Sequence, residues 1–286
     1  MSDSGSLSGI SGDRSGLCTA DFRRLARFIE GELGIRMPDS KRIMLESRLQ
    51  KRLRHFGMAS FREYVDYVFS EEGRRGELIN MIDAVTTNKT DFFREADHFD
   101  FLLEKALPEW CAGNAGVMAF WSAGCSTGEE PYSLAMVLEE YRETNPRFNY
   151  RIFASDLSTQ VLEKAKTAIY DVEKAAPIPM SYKKKYLLRS KDPSKGQIRV
   201  RPEIRARVSF DRINFMDDSY PVEGQFDVVF CRNVIIYFDR KVQQEILGKL
   251  CGHIRTGGWL ILGHSETLTG MDMPLRGVAP TIYTRL

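Results

Sequence analysis

The stretch Phe120-Trp-Ser-Ala-Gly-Cys-Ser-Thr-Gly-Glu-Glu-Pro-Tyr-Ser133 decides how the rest of the chain is read. It continues an apolar run from Val117 to Trp121 that reads as a buried strand. A turn of small residues follows, Ala123 to Gly128. Glu129, Glu130 and Pro131 then open a helix whose apolar period runs through Leu134, Val137 and Leu138. Proline and acids in a first turn are helix-start signals: the first N–H groups have no intrahelical partner, and the helix dipole favours negative charge there. Strand, glycine turn and helix start together describe a nucleotide-type pocket, because glycines let a ligand approach the backbone.

The turn lacks the Gly-Lys-Ser/Thr ending of a phosphate-gripping loop and also the full G-x-G-x-x-G pattern. Carboxylates stand where a pyrophosphate would need bare N–H groups. The expected ligand therefore has a ribose and a positive charge, and S-adenosylmethionine, a sulfonium with an amino-acid tail, fits that description. Ordinary βα turns share this local pattern, so the reading needs support from elsewhere in the chain.

The totals permit one large or two modest domains: 286 residues, of which 43% are hydrophobic. A net charge of +2 sets aside a general nucleic-acid binder and makes any basic function local. Cysteines 18, 111, 125, 231 and 251 form no C-x-x-C pair and read as reduced thiols in a cytoplasmic protein. Histidines 55, 98, 253 and 264 have no metal-ligand spacing, so no metal is expected. No apolar run approaches the roughly 20 residues of a membrane span, and no signal-peptide pattern opens the sequence.

Residues 1–16, rich in Ser and Gly, read as a disordered arm. Residues 17–86 read as an all-helical domain of about four helices. Phe22, Leu25, Ile29 and Leu33 mark one face; Leu45, Leu49, Leu53 and Phe56 mark the second helix. Ser60 with Glu63 forms a capping-box pattern, and Leu78, Ile79, Ile82 and Val85 lie on the fourth. Lys41, Arg48, Lys51 and Arg52 flank the second helix's leucine stripe. They are either a solvated face or a docking face for an acidic partner. Residues 87–98 read as a linker between domains, either simply packed with Phe92 and Phe93 as its anchor or turning Asn88, Thr90 and Arg94 toward the pocket.

From residue 99 to 286, β and α elements alternate, which implies an α/β doubly wound, Rossmann-like parallel sheet. Phe99–Trp110 is the first helix, and Arg151–Asp156 is a strand ending in an acid. Asp156 is either a turn residue or an acceptor for ribose hydroxyls; the glycine loop one βα unit earlier favours the ribose. Residues 189–210, Arg207–Phe210 included, read as a small, basic, antiparallel β-insertion, either a plain surface hairpin, the default, or an edge for an added peptide strand. Phe226–Cys231 is a central strand with Arg232, Asn233 and Tyr237 at its carboxyl end, where the chemistry of such sheets sits. Asp239 caps the next helix, Trp259–Leu262 is a strand, and residues 278–285 form a last one.

Four stretches taken jointly carry a resemblance: Thr-Thr-Asn-Lys-Thr-Asp-Phe-Phe-Arg-Glu (86–95), Ser-Thr-Gly-Glu-Glu-Pro-Tyr-Ser (126–133), Phe-Ala-Ser-Asp (153–156) and Phe-Cys-Arg-Asn-Val-Ile-Ile-Tyr-Phe (230–238). With Gly-His-Ser-Glu (263–266), they resemble the CheR-type chemotaxis receptor methyltransferases over roughly residues 20–286. The resemblance implies methyl transfer from S-adenosylmethionine to glutamate side chains of chemoreceptor helices, giving glutamyl methyl esters and S-adenosylhomocysteine. It implies cofactor contacts at Asn88, Thr90, Arg94, Glu130, Asp156, Asn214, Phe215, Arg232 and Asn233, with Arg94 and Tyr237 near the transferring methyl. It further implies receptor docking through the basic second helix, and in some members a receptor tail peptide at the β-insertion. No nucleic-acid partner and no membrane insertion follow.

Rival readings are a methyltransferase for another substrate and a non-catalytic module that senses the cofactor. Base N-methyltransferases carry an Asn/Asp-Pro-Pro-aromatic motif where this chain has Arg-Asn-Val-Ile-Ile-Tyr (232–237). Intact Arg94, Asp156 and Tyr237 speak against a decayed module, and the missing glycine pattern speaks against a nicotinamide dehydrogenase.

Overall fold

A computed structural model describes residues 16–113 and 116–286. The arm expected at residues 1–16 lies outside the described residues, apart from Gly16. The chain divides into two compact units, one of residues up to Glu32 with Arg36–Val85, the other of Leu33–Ile35 with Thr86–Leu286.

The first unit contains α1 (Thr19–Leu33), α2 (Arg42–Phe56), α3 (Phe61–Phe69) and α4 (Glu71–Val85). Its core is apolar as the helical periods predict, with Phe22, Leu25, Ile29, Leu45, Leu49, Tyr64, Val65 and Met81 buried. Helix ends follow the expected chemistry. Gly57 ends α2 in a left-handed conformation. The Ser60 hydroxyl accepts from the Glu63 amide while the Glu63 carboxylate accepts from the amide of Ala59.

Two positions depart from the periodic reading. Ile79 and Phe56 are exposed, whereas Glu77 is buried. The cause is polar: the Glu77 carboxylate accepts from the Tyr64 hydroxyl at 2.7 Å and from Arg52 Nε at 2.8 Å. A buried acid so partnered turns α4 by its own hydrogen bonds and leaves Ile79 outside.

The second unit opens with α5 (Asp97–Phe101), a π-helical turn (Leu102–Ala106) and α6 (Leu107–Gly113), where one continuous helix was expected. Then follow β1 (Val117–Ala123), α7 (Glu129–Thr144), β2 (Asn149–Asp156), α8 (Thr159–Thr167), β3 (Ile169–Asp171), α9 (Met180–Tyr186), β4 (Leu187–Arg189) and β5 (Gln197–Val200). The chain ends with α10 (Pro202–Arg205), β6 (Val208–Arg212), β7 (Phe226–Cys231), α11 (Arg240–Gly252), β8 (Ile254–Leu262), β9 (Leu275–Ala279) and β10 (Ile282–Arg285).

Among the described residues the main sheet has seven strands in the order β6-β2-β1-β7-β8-β10-β9. The first five pair in parallel, and β10 pairs antiparallel with both β8 and β9. Alternation along β1 separates two cores. Met118 and Phe120 pack with α6 and α7, while Ala119 and Trp121 pack toward Leu247 and Leu250 of α11. The strand order reverses between β1 and β7, so a crevice opens outside the carboxyl ends of these strands.

Two strand assignments are corrected. The antiparallel insertion is the separate sheet β3-β5-β4, which begins at Ile169. Val208–Arg212 is not part of it but pairs in parallel with β2. The stretch expected as one strand over 278–285 belongs to a hairpin of β9 and β10, turned at Thr281 in a left-handed conformation. Among the described residues no helix is long and apolar enough to cross a membrane.

The helical unit supplies a paired test. A Cβ at Gly73 would collide with the backbone carbonyl of Tyr67, whereas a Cβ at Gly76 meets nothing within 4 Å. Gly73→Ala should destabilise the unit by about 2 kcal/mol or more, and Gly76→Ala should stabilise it by up to about 1 kcal/mol. Urea unfolding followed by circular dichroism distinguishes the two.

Candidate functional site

Three strand ends converge at the crevice. After β1 the chain turns through Gly124 and Gly128, with φ of 89° and 94°. The amides of Gly124 and Cys125 both donate to the Ser155 carbonyl, at 2.8 and 2.9 Å, which ties this loop to the end of β2. Any side chain at Gly124 would strike the Val234 methyls, and one at Gly128 would crowd Ala165 and the Tyr170 hydroxyl. Both positions therefore require glycine for space as well as for backbone conformation.

Asp156 closes β2 and is half-buried. Its Oδ2 accepts from the Ser126 amide at 2.8 Å and its Oδ1 from the Ser158 amide at 3.0 Å. These amides fix the carboxylate's orientation.

The two loop acids have different tasks. Glu129 is buried, accepts from the Thr127 hydroxyl at 2.5 Å, and is pushed above the usual carboxylate range by burial. Glu130 accepts from the Ser122 hydroxyl at 2.7 Å and from Arg232 Nε at 2.8 Å.

Arg232 is the hub of the site. Its side chain is 2% exposed, and its guanidinium lies 5.5 Å from the centroids of both the Phe99 and Phe230 rings, which stack on each other. Besides Glu130 it donates to the carbonyl of Arg94 at 2.6 Å and meets His98 Nδ1 at 3.1 Å. An arginine has no acceptor, so Nδ1 of His98 is the unprotonated nitrogen and Nε2–H donates to the Thr281 hydroxyl at 3.0 Å. Burial first, and the Arg232 charge second, pull His98 down to about 4. A residue expected to close over the cofactor thus spends its guanidinium on the protein.

Arg94 lies between two residues in the left-handed region, Phe93 at φ 54° and Glu95 at φ 55°. Such backbone persists where neighbours hold it. Here the Phe93 amide donates to Ser133 Oγ at 2.9 Å, and Arg232 holds the Arg94 carbonyl. The Arg94 side chain itself is 36% exposed and loosely held, with Nη1 at 3.3 Å from the Lys89 carbonyl. Asn88 lies on the same segment, and its carbonyl accepts from the Ser126 hydroxyl at 2.9 Å. The Thr90 carbonyl accepts from Lys174 Nζ at 2.9 Å. This segment packs within the sheet unit, with Phe92 edge-on to Tyr170.

Asn233 stands at φ 58°, and its side-chain amide donates to Glu95 Oε1 at 3.3 Å. Tyr237 is half-buried in a short 3-10 turn, Ile235–Tyr237, just beyond it. Asn214 Oδ1 accepts from the Met216 amide. The Phe215 ring is largely buried and packs against Tyr220.

The cations of α2 also divide. Arg52 is committed to Glu77 and Arg48 donates to the Val85 carbonyl. Lys41 donates to the Arg36 carbonyl at 2.7 Å, and Lys51 is exposed. Glu95, His98 and His264, unremarkable by spacing, come within metal-ligand distance of one another. Arg232 and Thr281 already occupy the His98 nitrogens, and Asp97 meets His264 Nε2 at 3.0 Å.

Comparison with known proteins bears directly on this geometry. Residues 88–283 match the CheR methyltransferase SAM-binding domain, and residues 20–86 match the CheR methyltransferase all-alpha domain. The chain belongs to the CheR methyltransferase family. It is 39% identical to the chemotaxis protein methyltransferase of Escherichia coli over 271 residues, covering 95% of this chain and 92% of that one. The Klebsiella aerogenes protein of the same description is 40% identical, covering 98% and 94%, and that of Borreliella burgdorferi 36%, covering 93% and 94%. Within the family, the matched S-adenosylmethionine-binding domain contains the glycine loop, Asp156 and Arg232.

Ser133, Ser122, His98 and Glu95 were missed by sequence reading. The two serines are small polar residues in apolar runs, a signal that was available. His98 and Glu95 acquire their roles from Arg232, 134 and 137 positions away, and Glu95 also from Asn233.

The neutral, buried His98 has a pH consequence. Its folded pKa is depressed, so the unfolded chain binds the extra proton between about pH 6.5 and about 4. Its contribution is complete above that window and is lost as pH falls through it, by about 1.4 kcal/mol per pH unit. His98→Gln should flatten this part of the stability curve, as read from urea midpoints between pH 4.5 and 7.5.

Proposed function

We propose that this enzyme transfers the methyl of S-adenosylmethionine to glutamate side chains on chemoreceptor helices, forming glutamyl methyl esters during chemotactic adaptation. The observation that carries the reading is the clamped backbone of Arg94, whose cation stays half-exposed at the crevice. The residues present fit the donor. Asp156 offers a carboxylate to a ribose at a strand end, and buried Glu129 and Glu130 disfavour phosphate. Asn88, Thr90, Asn214, Phe215 and Asn233 complete the donor site in this reading. Glu130 and Arg232 contribute by shaping it.

When bound, the donor supplies a methyl group on a positively charged sulfur. A glutamate carboxylate has a pKa of about 4.3 and is ionised at neutral pH, so no general base is needed. One of its oxygens forms the new bond to carbon as the carbon–sulfur bond breaks, leaving a neutral thioether. What this chain adds is placement. Arg94 steers the carboxylate by charge-assisted hydrogen bonds. A tight ion pair would blunt the nucleophile, and the loose 3.3 Å contact of Arg94 with the Lys89 carbonyl leaves it room to act without one. Tyr237 offers a hydroxyl at the same mouth.

Partner recognition follows from charge and edges. Lys51 is the exposed docking cation of the α2 set; Arg52 and Arg48 shape the helix instead. The small sheet β3-β5-β4 offers its edges for a receptor tail peptide as an added strand. Five free cysteines suit a reducing cytoplasm.

Two experiments test this. With tritiated donor and receptor-bearing membranes, base treatment should release volatile methanol, since carboxyl methyl esters hydrolyse and methylated amines do not. Arg94→Ala should lower that release by about 100-fold with an unchanged melting temperature; normal release would remove Arg94 from the mechanism. Lys51→Glu should raise the KM for receptor at low salt and leave donor affinity by calorimetry unchanged. An unaltered KM would reject docking through this face.

A further inference from the structure

The Gly-His-Ser-Glu stretch at 263–266 has no part in the chemistry above. Glu266 is 4% exposed. Its Oε2 accepts from the amides of Gly263 and Asn233 at 2.7 and 2.8 Å, and its Oε1 from those of Val234 and Ile235, both at 2.9 Å. Among the described residues its ion-pair partners are absent, so backbone amides carry the whole charge. Charge-assisted bonds of this kind are about twice as strong as neutral ones.

Three of these amides belong to the turn after β7. That turn enters through left-handed Asn233, and Val234, its cap, has no local side-chain hydrogen bond. Glu266 provides the missing cap from 31 residues away. The junction leaves no slack: a Cβ at Gly263 would lie 2.5 Å from Asn233 Nδ2 and 2.9 Å from Glu266 Oε2. The turn then bonds to itself, with Tyr237 N on the Val234 carbonyl and Phe238 N on that of Ile235.

We propose that Glu266 is a positioning residue: its carboxylate clamps the amides of Asn233, Val234 and Ile235 and thereby sets the Tyr237 hydroxyl at the mouth of the site. This rests on the assignment of Tyr237 to that mouth. Glu266 touches neither donor nor receptor in this role, and acts through Tyr237.

A double-mutant cycle tests it with the full-length enzyme at saturating donor. Glu266→Gln keeps the shape of the side chain but turns one acceptor into a donor facing amides. It should remain folded by circular dichroism, lower kcat by about tenfold or more, and change the receptor KM by less than about threefold. In a Tyr237→Phe background the same change should lower kcat by less than about threefold, since the group it positions is already gone. Effects that multiply in the double variant, or an unchanged kcat in folded Glu266→Gln, would overturn the proposal. A silent Tyr237→Phe beside an impaired Glu266→Gln would instead sink the Tyr237 assignment, and with it this route. If Glu266→Gln does not fold, Glu266→Asp, which keeps the charge but withdraws it by one methylene, enters the same cycle with the same expectations.

Discussion

A buried arginine organises the sheet unit. Arg232 sits where the strand order reverses, with its side chain almost wholly buried. Its charge must therefore be met by protein acceptors, because an uncompensated buried charge costs several kcal/mol. The acceptors it finds are Glu130 at the start of α7, the Arg94 carbonyl on the segment before α5, and His98 within α5. Satisfying one guanidinium thus fixes three pieces of chain relative to one another. Placement of the exposed Arg94 cation, the feature on which methyl transfer turns, follows from that requirement.

The backbone shows where the resulting strain is kept. Phe93, Glu95, Ser126 and Asn233 all stand in the left-handed region at the crevice, at a cost of order 1–3 kcal/mol each. Each is held by a hydrogen bond: the amides of Phe93, Ser126 and Asn233 donate to Ser133 Oγ, Asp156 Oδ2 and Glu266 Oε2, and the Glu95 carboxylate accepts from the Asn233 side chain. The rest of the sheet unit is an ordinary close-packed α/β core on two faces, and its regularity makes the strained crevice sustainable.

Much of the fold was legible because its signals are local. The apolar runs at Val117–Trp121 and Phe226–Cys231, the Ser60–Glu63 cap and the Asp239 cap each depend on residues within one turn or strand. Misreadings arose where a distant partner decided. Ile79 was read on the core face of α4, and it is exposed where Glu77, partnered by Arg52 and Tyr64, is buried. Val208–Arg212 has the alternation of a hairpin strand, but pairing in parallel with β2 assigns it to the main sheet.

For the site, the sequence by itself determined the chemistry available: a glycine turn closed by acids, an aspartate ending a strand, and an arginine, an asparagine and a tyrosine after another. Those residue types in that order also carried the family. Only the tertiary structure decided which groups face the crevice and which serve it from behind. Arg232 and Glu130 turn to each other, Arg94 is left outward, and Glu266 reaches back to the amides of a turn 31 residues earlier. The physical reason is that a side chain's role is set by what satisfies its hydrogen bonds once water is gone, and those partners are neighbours in space.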